Sequence, residues 1–261
     1  MKYVNLFLNN LRISILCEMS HKTNFIMRFI SDSIYFFVYF IFYTVIFSYV
    51  PRINEWGKYE VLLLMGTFHI VISLFLAFFF PNLVRFPNLV KSGELDGILV
   101  KPMNSQYLLS TQVMDIGSLT NVFLGLSIVI FSGMQLEIKV SFISVVLFAG
   151  YILLGVFIMY GILFIMVSSV FWLSEASWSI GFFMSFNSFG DKPVSFYKGV
   201  IYRFLIYIFP IGIVANVPAS VIMNQETNYM EVWMMIIAFI LYLLSIFVWD
   251  RGLKLYEGGS I

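Results

Sequence analysis

The side chains able to do chemistry in this chain are few and far apart. His21 and His69 stand alone on different segments, so neither completes a metal site; a single histidine in an apolar span reads as a packed or hydrogen-bonding residue. Asp32 and Glu175 fall near the ends of apolar stretches, and Asp115 at the start of another. Those are the positions of interfacial carboxylates with polar neighbours rather than of a buried, proton-relaying pair. Cys17 is the lone cysteine, which excludes an internal disulfide and a cysteine-based metal cage. There is no G-x-x-x-x-G-K-[ST] phosphate loop, no G-x-G-x-x-G after a strand and no H-E-x-x-H pair. The expectation is a non-enzyme with no nucleotide site, metal or cofactor of its own.

Chemistry of another kind sits in the stretch 90–102, which packs charge, glycine and a proline between two long apolar spans. Gly93 lets the chain turn. Glu94 and Asp96 suit the first turn of a short helix, Leu95, Ile98 and Leu99 share a face, and Lys101-Pro102 ends it. Such a helix either lies on lipid or docks a soluble partner, with Leu95 and Leu99 inserting in a groove. Two prolines matter further on. Pro210 lies inside an apolar stretch and Pro218-Ala219 ends it; each removes a backbone donor, so that helix is expected to be bent or interrupted, as a gate or as a simple kink.

The elements that must position these residues follow from composition. Charged residues are 11% and the apolar set 61%, with a mean hydropathy of +0.93, whereas a soluble domain carries about a quarter charged residues. The chain is therefore read as an all-α integral membrane protein, a single transmembrane domain over 1–261. The net charge of +1 argues nothing about nucleic acid, and with no basic cluster to suggest it, no nucleic-acid partner is expected. Six stretches are long enough to cross: 33–50, 61–80, 116–134, 140–170, 200–217 and 232–249. The aromatic tail at 172–189 is expected to be interfacial, because a crossing there would carry Lys192, Lys198 and Arg203 outside. With six crossings and both termini in the cytoplasm, only Arg52, Lys58 and Lys139 are external, a strong positive-inside bias that suits a multi-pass protein of the cell membrane.

Polar residues interrupt the region before Arg28, so no cleavable signal peptide is expected. Residues 1–30 form a cytoplasmic interfacial helix, with Val4, Leu8, Leu11, Ile15 and Met19 at helical spacing. The cytoplasmic loop 81–115 is too short to fold alone, and 250–261 is a cytoplasmic tail. Aromatic runs such as Tyr35-Phe36-Phe37 and Phe78-Phe79-Phe80 suit lipid-facing packing. Gly117, Gly125 and Gly133 recur every eight residues, near one helical face, and suggest a close-packing surface.

Gly93-Glu94-Leu95-Asp96-x-x-Leu99-Val100-Lys101-Pro102 resembles the G-x-L-D-x-x-L-x-[RK]-P signature of a branch of type-2 ATP-binding-cassette (ABC) exporter permeases. Thr23-Asn24-Phe25, Pro193, Tyr197, Pro210 and Pro218-Ala219 are similar to that branch too, and the likeness spans essentially the whole chain; Asp191-Lys192 departs from the aromatic-basic pair expected there. The resemblance implies a permease half working as a homodimer, or as a heterodimer with a sister permease, in contact with membrane lipid. A separate cytoplasmic ABC ATPase subunit binds the ATP and is coupled through Gly93, Glu94, Leu95, Asp96, Leu99, Lys101 and Pro102 and the N-terminal helix. Pro210 and Pro218 would shape a gate, and the cargo of such an exporter is hydrophobic or amphipathic. Two alternatives remain beside it: a gradient-driven secondary carrier, and a non-transporting membrane assembly or immunity protein.

Overall fold

The computed structural model describes residues 2–20, 22–173, 175–225 and 228–256, and is helical almost throughout. Runs of Leu, Ile, Val and Phe with almost no charge leave the backbone only its own carbonyls to bond in hydrocarbon, which selects helices. Their order is α1 (Lys2–Ser20), α2 (Lys22–Tyr49), a minimal antiparallel hairpin of β1 (Arg52–Ile53) and β2 (Trp56–Gly57), α3 (Lys58–Phe78), α4 (Phe80–Lys91), α5 (Asp96–Leu99) and α6 (Ser105–Ser110). Then come α7 (Ile116–Gln135), α8 (Phe142–Val167, with a 3-10 turn over Ser168–Phe171), α9 (Trp178–Asn187), α10 (Gly199–Arg203, continued as a π-helix over Phe204–Ile208), α11 (Ile211–Ile222) and α12 (Asn228–Leu253). In the hairpin Arg52 pairs with Gly57 and Ile53 with Trp56, around Asn54 in the left-handed region. Among the described residues five helices are long and apolar enough to cross a membrane: α2, α3, α7, α8 and α12.

Helix starts are fixed by local chemistry. Asp115 accepts hydrogen bonds from the Ser118 N–H and hydroxyl at the head of α7, and Ser141 accepts from the Ser144 N–H at the head of α8. The Glu60 carboxylate in the first turn of α3 accepts from the Gly57 N–H at 2.6 Å. The core is built around α3, buried along most of its length and clamped by α7, α8 and α11. Small residues permit the closest approaches. Gly66 of α3 meets Gly125 of α7, and Gly155 of α8 faces the Val214 carbonyl, which Pro218 leaves without its helical donor. Of the eight-residue glycine repeat, Gly125 makes the tight contact, whereas a Cβ at Gly133 would meet only the Ile138 side chain, at 4.0 Å.

The two ends of the bundle differ. At one, the platform end, gather α1, α4–α6 and the last turns of α8 and α12: Lys91 meets Glu175, and Trp249 donates to Ser105. At the other, the hairpin end, lie β1–β2 and the turn between α7 and α8. There the Asn54 amide donates to the Ser195 carbonyl at 3.0 Å and the Asn224 amide to the Lys139 carbonyl at 3.3 Å.

These contacts revise the expected fifth span. Residues 178–195 climb beside α3 from one end to the other. Ser179 bonds to Met166 near the platform end, Phe183 lies 5.5 Å from Phe75 (ring centroids), Gly190 abuts Phe68, and Ser195 reaches Asn54 at the hairpin end. The stretch expected to cross, 200–217, does not run straight: α10 with its π-helix and α11 are bent by 83° at Phe209–Pro210. Both outer limbs return to the hairpin end, where Tyr202 meets Tyr229 and Asn224 meets Lys139, so 199–222 is a re-entrant helical hairpin. Each limb alone is too short to span hydrocarbon. The irregular backbone at 188–194 is tolerated because protein satisfies it: Asn216 of α11 accepts from the Val194 N–H at 3.0 Å and donates to the Lys192 carbonyl at 3.3 Å. Lys192, Lys198 and Arg203 therefore belong to the hairpin end, against the expectation from charge. The other boundaries move less: the first crossing helix begins at Lys22 rather than near 33, and the last covers Asn228–Leu253.

Candidate functional site

Residues 79–115 form a folded platform rather than an open loop. Phe79 breaks α3 from α4, and the Asp115 N–H closes the segment onto the Ala77 carbonyl at 2.8 Å. Asn82 is the internal clasp: its amide donates to the Ser110 and Val113 carbonyls at 3.0 and 2.7 Å, and its carbonyl accepts from the Val113 N–H at 2.9 Å. Phe86, fully buried, packs among Phe164, Phe171 and Trp249 and ties α4 to the ends of α8 and α12. Gln106 donates to the Tyr160 hydroxyl and to Ser245, and Ser110 shares a 2.9 Å hydrogen bond with Tyr160. These contacts fasten the platform to α8 and α12.

α1 lies along this platform. The Tyr3 carbonyl accepts from the Tyr107 hydroxyl, Asn10 donates to the Thr111 carbonyl at 2.9 Å, and the Met114 N–H donates to Ser14. The polar stripe of α1 thus faces protein. Val4, Leu8, Ile15 and Met19 of the expected apolar stripe point outward, as on a helix resting at a lipid interface. His21 lies outside the described residues.

The sequence-expected coupling residues do come together. Gly93 adopts φ 76°, the left-handed turn that glycine takes without strain, and the Leu95 N–H bonds to the Leu89 carbonyl to start a single helical turn. Val100 and Lys101 close it, and Pro102 follows. One role changes. Leu95 is wholly buried and Ile98 nearly so, while Leu99 is half-covered; they anchor the turn inward and do not project toward a partner. The outward face consists of Glu94, Asp96, Gly97, Val100 and Lys101. A four-residue helix has room for one inward face, and the protein's own core takes it. Nearby, Lys91 donates to Glu175 at 3.1 Å; that hydrogen bond, then the lysine's charge, hold the exposed Glu175 carboxyl below its ordinary range. Burial, then the Asp96 charge, push the Tyr256 hydroxyl up.

Pro210 and Pro218 occupy the re-entrant hairpin, Pro210 at its tip and Pro218 within α11. Phe209 fills the tip among Phe182, Phe183, Phe186 and Phe204, and Trp233 donates to the Ile206 carbonyl at 3.0 Å where the π-helix alters the regular ladder.

A family model described as ABC-2 family transporter protein matches residues 33–260, most of the chain and every crossing. The chain belongs to the ABC-2 family of transporter proteins. No curated protein and no solved structure matches it. An ABC-2 transporter protein of this kind is the membrane component of an ABC transporter, which agrees with a multi-pass helical bundle.

Within this ABC-2 protein the sequence-expected carboxylates part company. Asp115 caps α7 and Glu175 serves the platform, but Asp32 enters a polar cavity of about 370 Å³ between α2, α3, α7 and α9. His69, Ser73, Asn121, Asn187 and Asp191 line the same space. Asn121 donates to Asp32 at 2.7 Å, and Phe36 meets the His69 ring edge-on at 4.2 Å. Sequence reasoning weighed Asp32 and His69 one at a time and passed over Asn121 and Asn187. The available signal was a polar side chain in each of several apolar helices. Among the described residues no group of His, Cys, Asp and Glu could hold a metal ion.

Proposed function

We propose that this ABC-2 protein is the permease half of an ATP-driven exporter of hydrophobic or amphipathic molecules in the cell membrane. It works as a homodimer or with a sister permease, and a separate ABC ATPase on the cytoplasmic side binds and hydrolyses the ATP. The observation that carries this reading is the fastened platform. An exposed charged tip, Glu94 to Lys101, stands on a buried Leu95–Ile98 base, in a platform clasped internally by Asn82 and joined through Phe86 and Gln106 to the ends of α8 and α12. A force on such a tip reaches α8 and α12 without being absorbed by a loop. Platform-end basic residues, among them Arg12, Arg85, Lys91, Lys101, Arg251 and Lys254, support a cytoplasmic orientation for that end, although Lys192, Lys198 and Arg203 narrow the bias.

The test is co-purification with a candidate ABC ATPase, comparing wild type with Asp96→Arg plus Val100→Glu. Both residues are exposed, so the bundle keeps its melting temperature while ATPase association falls. Wild type that retains no ATPase in several mild detergents, or a double variant that couples normally, would overturn the reading. The polar cavity is the one observation in favour of a gradient-driven carrier. Transport that survives ATP depletion and stops on collapse of the ion gradient would decide for that alternative.

A further inference from the structure

We infer that the groove between α6, α8 and α12 holds an uncharged membrane lipid that carries hydroxyls on its head. Its volume is about 750 Å³, within the range of small-molecule sites. On α12 its wall runs from Met235 to Ile246, about 16 Å at the rise of a helix, which matches the roughly 15 Å depth of one leaflet. The two ends differ in chemistry. Toward the middle of the bundle the wall includes Phe157 of α8 with Met235 and Phe239 of α12; toward the platform it includes Gln106, Ser110, Tyr160 and Tyr242. Phe157 and Phe239 are more than half exposed, so the groove is open to lipid along its side.

Charge selects the class of head. Among the described residues the wall contains no lysine, arginine, histidine, aspartate or glutamate. A phosphate, sulfate or ammonium head drawn in there would sit beside hydrocarbon without a counter-charge, which is costly. What the wall offers is neutral. Both N–H bonds of the Gln106 amide are spent, on the Tyr160 hydroxyl at 3.2 Å and on Ser245 at 3.1 Å, and its carbonyl oxygen is left to accept. Ser110 and Tyr160 bond to each other, and Ser110 donates to the Gln106 backbone carbonyl, so those two hydroxyls are engaged. Tyr242 is 59% exposed, and among the described residues its hydroxyl has no partner. It stands one turn before Ser245 on α12, on the side to which Gln106 is tied. An acceptor beside a group that both donates and accepts suits hydroxyls, which do both; an ammonium has no acceptor and a sulfate no donor. Gln106 is also a joint that fastens α6 to α8 and α12, so a bound head lies against that joint.

This inference does not use the permease reading; it needs only that the platform ends of α8 and α12 lie in one leaflet. The purified full chain, without any ATPase, is placed in phosphatidylcholine nanodiscs with a dodecylglycerol that carries a photoreactive diazirine on its chain, and the labelled residues are mapped by mass spectrometry. The expected result is saturable labelling within 154–161 and 235–246. Unlabelled dodecylglycerol displaces the probe at concentrations about tenfold or more below those needed of dodecyl sulfate or dodecyltrimethylammonium. Tyr242→Phe removes one exposed hydroxyl and weakens binding about threefold to tenfold. Ala238→Phe fills the groove and abolishes labelling; if it does not fold, the surface variant Tyr242→Phe carries the test. Labelling that rises without saturating, equal displacement by the three amphiphiles, or a Tyr242→Phe chain that binds as wild type overturns the assignment. So does an Ala238→Cys chain, in a Cys17→Ser background, that crosslinks to a second copy through position 238 and loses labelling as it does so, since the occupant is then protein. Because no ATPase is present, that failure leaves the coupling proposal standing, and loss of ATPase association leaves the labelling result standing.

Discussion

Gly125 should be irreplaceable in a way that can be measured. A Cβ built there sits 2.9 Å from the Gly66 carbonyl oxygen, 2.8 Å from Ile70 Cγ1 and 3.1 Å from the Ile70 nitrogen, whereas ordinary contact begins at 3.4 Å. The Ile70 methylene can rotate away, but the two backbone atoms cannot. Gly125→Ala therefore has to push α3 and α7 apart by the difference between 3.4 and 2.9 Å, along the closest helix pair of the bundle. Overpacking of this kind costs about 1–3 kcal/mol. At roughly 2–4 °C per kcal/mol in a chain of this size, the melting temperature falls by about 2–12 °C. The assay is loss of the monodisperse chromatographic peak on heating in one fixed detergent. Gly150→Ala is the internal control, since nothing lies within 4 Å of a Cβ there, and it should melt with wild type. If Gly125→Ala also melts with wild type, the backbone contact does not limit the packing and the reasoning fails.

Other outcomes follow from the same geometry. Asn82→Ala breaks three hydrogen bonds that close the platform and should destabilise it by about 2–4 kcal/mol, read as new protease cleavage between 100 and 115. Phe86→Ala empties the centre of the Phe164–Phe171–Trp249 cluster; a loss of about 3–5 kcal/mol and separate loosening of the α12 end should show in hydrogen exchange. The Lys91–Glu175 tie depends on an acid with a lowered pKa, so its contribution is present above the ordinary carboxylate range and disappears as pH falls through the lower folded value. A cysteine pair at 91 and 175 with a reversible crosslinker cannot report this. The melting difference between wild type and Glu175→Gln can, and it should be constant from pH 8 to about 5, shrinking only below that and with added salt.

The turn at 93–102 was legible in sequence because its signals are local, whereas the folding of the rest of 79–115 into a platform was not. Gly93 and Pro102 bracket a turn whose backbone the chain must adopt wherever it sits. Which way Leu95 points was not, because a single helical turn near hydrocarbon gains from apolar contact on either side. The course of 178–222 was less legible for a related reason: 200–217 is uniformly apolar, whereas 178–195 mixes Ser, Asn, Asp and Lys into its length. Hydropathy rewards the first, but Phe209–Pro210 folds it back, and Asn216 supplies from a distant helix the hydrogen bonds that let the second cross. The cavity stayed hidden because Asp32, His69, Asn121 and Asn187 sit on four different helices, and only packing sums them.

The fastening of α1 has a consequence for how the protein is made. The Tyr3 carbonyl is held by Tyr107, 104 residues later, and Asn10 by Thr111, 101 residues later. α1 buries none of its residues and leaves the ribosome long before the surface that receives it. While α2, α3 and α4 are made it has the lipid interface and the Phe7–Phe78 contact to rest on, and its hydrogen bonds form only when 104–114 emerges. Assembly on this side of the membrane therefore departs from chain order: α1 is translated before α2 to α6 but completes its docking only after them.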